Sequence, residues 1–310
     1  MTPMSRRNFF RAAVGTLPFL NAFGKEAPLY SLREMDMHLH AGLERDEPDM
    51  DKWIDLPVTD GRRVMVLVDH MEFYRKKEPG RYPHGAEGHK AFMAEIEAQI
   101  ARRKDLLIFK GWEINQSVLD LGPEALETAP MHMVETIGWH IDRSLVGRPP
   151  DGQLLIKRVK QLKELRKEFP IPMMLYHPFH RRIANLQEDA KKAGGDAASV
   201  PLAKYRLFQP GEQEELIELL KGSSLYLEIC HGQIYQMRIP VCREALIADI
   251  KPLAEAGVQF TVSTDNHYVK SAQQKFEPET YCEPIGVTPQ NTNSIIHELM
   301  SIRRAKAGRP

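Results

Sequence analysis

The sequence predicts an α/β protein built as a closed or nearly closed barrel of seven βα units. Three observations point there. Past residue 30, apolar β-rich runs alternate with helical patterns. Several runs are almost continuously apolar, as strands covered on both faces are. Residues able to ligate a metal stand at the ends of six of them, as His38-x-His40, Asp69-His70, Glu113, His140, His177-Pro178 and Asp265-x-His267, the position at which parallel barrels collect their chemistry.

The expected strands are 34–40, 63–69, 106–113, 134–140, 172–177, 225–228 and 258–265. Between them lie helical patterns. Residues 89–103 carry Phe92, Ile96 and Ile100 at four-residue steps, and 154–169 carry Leu155, Val159, Leu162 and Leu165. Shorter patterns cover 212–220 and 243–256. A last helix opens at Thr288-Pro289, a cap followed by a first-turn proline, and runs toward Arg304. Residues 25–310 read as one barrel domain without internal repeats. The polar stretch 185–209, with Gly194-Gly195, fits either a long loop over the barrel mouth or a plain insertion.

Charge and cysteine content narrow the function. Lys+Arg and Asp+Glu are 42 each, for a net charge of zero, which argues against a nucleic-acid binder. Cys230, Cys242 and Cys282 cannot form a complete disulfide framework and their spacing fits no zinc ribbon. Cys230 precedes His231 on an expected strand, where neighbours face opposite sides, so no Cys/His nucleophile is expected.

Residues 1–24 read as an export signal. Arg6-Arg7 before Asn8-Phe9-Phe10-Arg11 resembles the twin-arginine pattern S-R-R-x-F-L-K. The apolar run from Ala12 to Phe23 is too short to span a bilayer and is interrupted by Pro18 and Asn21. No cysteine near residue 24 offers a lipid anchor. The resemblance implies the twin-arginine translocase as an export partner, a periplasmic or secreted location, and no stable membrane anchor.

The strand ends carry the chemistry. The first run closes Asp36-Met37-His38-Leu39-His40, and residues two apart on a strand face one side, so His38 and His40 project together. The next runs close with Asp69-His70, Gly111-Trp112-Glu113, Gly138-Trp139-His140, Tyr176-His177-Pro178 and Asp265-Asn266-His267. A lone histidine near a strand end is more often a satisfied polar residue than a ligand. Here six of twelve histidines fall at strand ends, and together with the carboxylates they exceed what one tetrahedral zinc takes. They suit two or three ions bridged by carboxylates. His180 and His231 follow strands five and six closely enough to reach the same mouth.

In this order the motifs resemble the PHP (polymerase and histidinol phosphatase) superfamily over about residues 34–270. The resemblance implies a distorted (β/α)7, TIM-like barrel with a di- or trinuclear site of zinc, manganese or iron and phosphoesterase activity. It implies His38 and His40 on one ion, Glu113 bridging to a second, His140 and His177 around that second ion, and Asp265 and His267 completing the set. His70 looks like a ligand of a third ion, with Asp46 as the match to an additional early ligand. Glu113, Asp265 and His177 are the expected catalytic residues.

Two close cations bring the pKa of a shared water to about neutral and offset charge on phosphoryl oxygens. Arg181 and Arg182, after strand five, are candidates to grip a phosphate bidentately; a solvated basic turn is the alternative. A small-molecule phosphoester is therefore the expected substrate. Two other readings compete. An amidohydrolase-type barrel also opens with His-x-His but commonly uses a strand-four lysine, and strand four here ends in His140. A metal-binding scaffold would have lost ligands, and here almost the whole set is present.

Overall fold

The computed structural model describes residues 29–41, 49–71, 86–114, 133–140, 152–179, 202, 205–231, 237–267 and 276–308. Arg6, Arg7, Asp46, His180, Arg181 and Arg182 lie outside them, as does most of 185–209.

Seven parallel strands run in sequence order: β1 Met35–His40, β2 Val64–Val68, β3 Leu107–Ile114, β4 Thr136–His140, β5 Met173–Tyr176, β6 Leu225–Cys230 and β7 Phe260–Ser263. Each pairs with the next. The chain beyond β7 returns to β1 and nearly closes the barrel. There the Asp265 N–H donates to the His38 carbonyl at 3.0 Å and the His40 N–H to the Asn266 carbonyl at 3.3 Å.

The helices between the strands are α1 Met50–Thr59, α2 Ala86–Arg102, α3 Gly152–Glu168, α4 Glu212–Leu220 and α5 Pro240–Glu255. After β7 come α6 Glu279–Cys282, α7 Pro289–Thr292 and α8 Ser294–Lys306. Helical residues such as Trp53, Phe92, Ile96, Leu155, Val159, Leu162 and Ile250 cover the strands and form one apolar core with them. Met37 and Leu39 join that core, which leaves His38 and His40 on the opposite side of β1, as strand alternation requires.

Two glycines are dictated by close approach. A Cβ on Gly111 would meet the Cγ1 atoms of Val66 and Val68 at 2.9 Å. A Cβ on Gly138 would collide with the Tyr176 ring. The Tyr176 ring in turn stacks on His38 at 3.7 Å between centroids, and its hydroxyl donates to the Met37 carbonyl at 3.2 Å. Gly138→Ala should therefore destabilise the fold by about 2–3 kcal/mol, the cost of forcing a methyl into a filled core. Denaturant unfolding of the variant checks this; a wild-type midpoint would show that Tyr176 has room to move.

Several elements differ from expectation for physical reasons. The sequence predicts no helix at 50–59, where Pro57 sits inside α1. An interior proline disfavours a helix, but Met50, Trp53, Ile54 and Pro57 are all buried there, and Asp49 caps the start by accepting from the Asp51 N–H at 3.0 Å. β5 stops at Tyr176, because His177 takes φ +56° and leaves the extended region. β7 is also shorter than 258–265, and Asp265 takes φ +54°. β6 runs two residues further than expected, to Cys230. The last expected helix is divided into α7 and α8. Residues 205–208 belong to the polar stretch read as either a mouth loop or a plain insertion, and they pack inward. Tyr205, Leu207 and Phe208 are buried, and Asp249 Oδ1 accepts from Arg206 Nε at 2.5 Å.

Candidate metal centre

The site is built from the C-terminal ends of the strands. β1 supplies His38 and His40, the segment after β2 supplies His70, β3 supplies Glu113 and β4 supplies His140. His177 follows β5, and Asp265 and His267 follow β7. The structure brings all eight side chains together.

Glu113 lies at the centre, and its two oxygens face different partners. Oε2 lies 3.0 Å from His40 Nε2, 3.1 Å from His70 Nδ1 and 3.3 Å from His38 Nε2. Oε1 lies 3.1 Å from His140 Nδ1 and 3.8 Å from His177 Nε2. Asp265 repeats the division. Its Oδ1 is 3.0, 3.4 and 3.6 Å from Nε2 of His267, His38 and His40, whereas Oδ2 is 3.4 Å from His177 Nε2.

Four groups have ligand atoms close enough to share an ion: His38-His40-Glu113, His70-Glu113-His140, His40-His70-His267 and His38-His177-Glu228. The donor set fits divalent cations. Imidazole nitrogens and carboxylate oxygens converge from separate strands, and a carboxylate with nitrogens on both sides is the geometry of a bridge. Among the described residues, the buried Glu113 Oε1 and His40 Nδ1 have no hydrogen-bond partner. A buried polar atom left unsatisfied is costly, and an ion beside Glu113 Oε1 would remove that cost.

The electrostatics favour the same occupant. Burial disfavours the Glu113 carboxylate, but His70, His140 and His38 outweigh it and hold its pKa well below the ordinary value. Asp265 is held low as well, with burial opposed by His177, His38 and His267. His40 is pushed well below its usual pKa by burial and by the neighbouring His267 and His70. It therefore presents a free lone pair at neutral pH.

His38 goes the other way. Burial would lower it, but Glu228, Glu113 and Asp265 hold its pKa well above the ordinary value. A proton must then leave His38 before an ion can bind, and it leaves only as pH rises through that elevated pKa. Zinc affinity should accordingly keep rising with pH beyond the ordinary histidine range, up to about tenfold per unit for each proton displaced. Competition with a calibrated chelator at each pH measures it; a flat profile would show that no proton is released.

His177 and Asp265 are the non-glycine residues with positive φ among those described. Left-handed backbone at such residues costs on the order of 1–3 kcal/mol and collects at functional sites. Here it turns both side chains back over the barrel mouth.

Three features escape the expected list. Glu228 on β6 is fully buried and touches both His38 and His177; the sixth expected run ends at this acid, and the strand-end rule marks it. Tyr176 supports the His38 ring. Asp36 accepts from the Thr264 N–H at 3.0 Å and its hydroxyl at 2.7 Å, and sits 3.5 Å from Arg62 Nε, tying β1 to the end of β7. Cys230 departs from expectation in a different way: its Sγ lies 3.4 Å from His177 Nδ1, so a Cys/His pair does exist. His231 joins none of the four ligand groups.

A scan against protein-family models and a search of curated proteins found no match to the chain. Among solved structures, the histidinol phosphate phosphatase of Lactococcus lactis subsp. lactis, complexed with zinc, L-histidinol and phosphate, aligns with a TM-score of 0.52 at 14% identity, covering 83% of this chain and 95% of that one. The phospho-2-dehydro-3-deoxyheptonate aldolase of Thermotoga maritima aligns with a TM-score of 0.32 at 11% identity, covering 88% and 70%. The phosphatase likeness establishes the fold: a TIM-like (β/α)7 barrel.

Proposed function

We propose that this protein is an exported, metal-dependent phosphoesterase. One observation carries the reading. Glu113 divides its two oxygens between His38, His40 and His70 on one side and His140 and His177 on the other, as a carboxylate shared by two ions must. The likeness to a zinc-bound phosphatase of the same fold supports the choice of phosphoester over other substrates.

Two or three ions, zinc, manganese or iron, are proposed. His38, His40, Glu113 and Asp265 would hold the first, and Glu113, His140 and His177 the second. His70 and His267 would hold a third, with Asp46 as an added ligand. Such ions supply a hydroxide at neutral pH and screen the charge of phosphoryl oxygens. The chain's own residues fix the donors at the strand ends and hold Glu113, Asp265 and His40 in their deprotonated forms. Arg181 and Arg182 are the proposed grips for the phosphate.

The test is hydrolysis of an aryl phosphate by the purified full chain, with loss on chelation and recovery on adding manganese or zinc. If the metal-replete protein cleaves no phosphoester in a broad panel, an amidohydrolase-type or scaffold role replaces this one. Export is tested separately: the Arg6→Lys/Arg7→Lys double variant should leave the precursor in the cytoplasm, because the twin-arginine receptor reads that pair. Normal export of the variant would overturn the signal assignment.

A further inference from the structure

Glu228 lies in β6, two residues before the strand's end and level with His38 in β1, which also lies two residues before its strand end. It is fully buried, and both of its oxygens are engaged. Oε1 lies 2.8 Å from His38 Nδ1 and accepts from the Ser263 hydroxyl. Oε2 accepts from the His177 main-chain N–H at 2.7 Å and lies 3.3 Å from His177 Nδ1. The opposite nitrogen of each imidazole faces away from Glu228. His38 Nε2 points to Glu113, His40 and Asp265, and His177 Nε2 points to Glu113 and Asp265.

We infer that Glu228 is a positioning residue for the metal centre. Through Oε1 it fixes the Nδ1–H tautomer of His38 and so delivers the Nε2 lone pair to the ion. Through Oε2 it pins the left-handed backbone that turns His177 into the site. A carboxylate behind a ligating imidazole sets ring orientation and raises ligand basicity. Here one such carboxylate serves two histidines from opposite sides of the barrel mouth. Glu228 is not itself a ligand in this scheme, because its oxygens are already taken by Nδ1–H, hydroxyl and N–H donors. The inference rests on the metal-site reading, not on the identity of the substrate.

The experiment uses the full chain loaded with zinc. Long-range proton–nitrogen correlation of the imidazoles should show His38 protonated on Nδ1 and zinc-bound through Nε2. Glu228→Gln should lower zinc affinity by about 10–100-fold in chelator competition, because an amide can satisfy only one of the two partners. Glu228→Ala should lower it further. Zinc content at saturation should stay at the wild-type value in both. Three results overturn the inference: a wild-type His38 protonated on Nε2, a Glu228→Gln variant with wild-type affinity, or one that saturates with fewer ions, which would make Glu228 a ligand. The wild-type tautomer decides even if neither variant folds. A chain that binds zinc as described yet cleaves no phosphoester refutes the proposed chemistry and leaves the role of Glu228 standing.

Discussion

Glu113→Gln should lose bound metal and hydrolysis together. The side chain is fully buried, and five imidazole nitrogens lie within 3.8 Å of its oxygens. The substitution keeps the volume and removes the charge. An amide has one acceptor oxygen and places an NH2 donor where the second ion would sit, so it cannot bridge. Losing several kcal/mol of charge stabilisation corresponds to a fall in kcat/KM of about a thousandfold or more. Elemental analysis of the purified variant and its rate on an aryl phosphate are the two readouts. A variant with full metal content and full turnover removes Glu113 from the centre. The thermal midpoint should be read alongside, so that a loss of metal is not mistaken for a loss of fold.

The parts of this molecule legible in the sequence are those set by strand periodicity. His38 and His40 share a face because side chains alternate along a strand, and the structure places them with their Nε2 atoms 3.0 Å apart. Glu113, His140 and the barrel order follow from the same rule and from apolar runs covered by helices. What the sequence hides depends on contacts between distant segments. Asp36 is near His38 in sequence, yet its partners are Arg62 and Thr264, which no local pattern pairs with it. Tyr176 and Gly138 fit each other across two strands. Helix α1 forms despite Pro57 because Trp53 and Ile54 are buried in the core. His177 and Asp265 are legible as residues but not in conformation; both sit just past their strands on left-handed backbone. Glu228 follows the same strand-end rule, as the single acid of the sixth strand.

Cys230→Ser should retain most of the activity, whereas His177→Asn should lower it by about a thousandfold, the equivalent of roughly 4 kcal/mol. The pair matters because Cys230 Sγ sits 3.4 Å from His177 Nδ1, a spacing that invites a thiol-nucleophile reading. Three observations speak against it. The thiol is buried. Glu228 Oε2 lies as close to the same nitrogen, at 3.3 Å. The other nitrogen of His177 faces Asp265 and Glu113, which is a ligand's orientation. A catalytic base would instead aim its free nitrogen at the thiol and have it exposed to substrate. Asparagine is the informative replacement at His177, because it tolerates the φ of +56° there better than alanine does and so isolates the loss of the imidazole. Chelator sensitivity of the Cys230→Ser variant completes the test. If that variant is inactive and chelators leave the wild type untouched, a covalent thiol mechanism replaces the metal-dependent one. If it turns over at near the wild-type rate and dies on chelation, His177 belongs to the ions and Cys230 to the packing behind it.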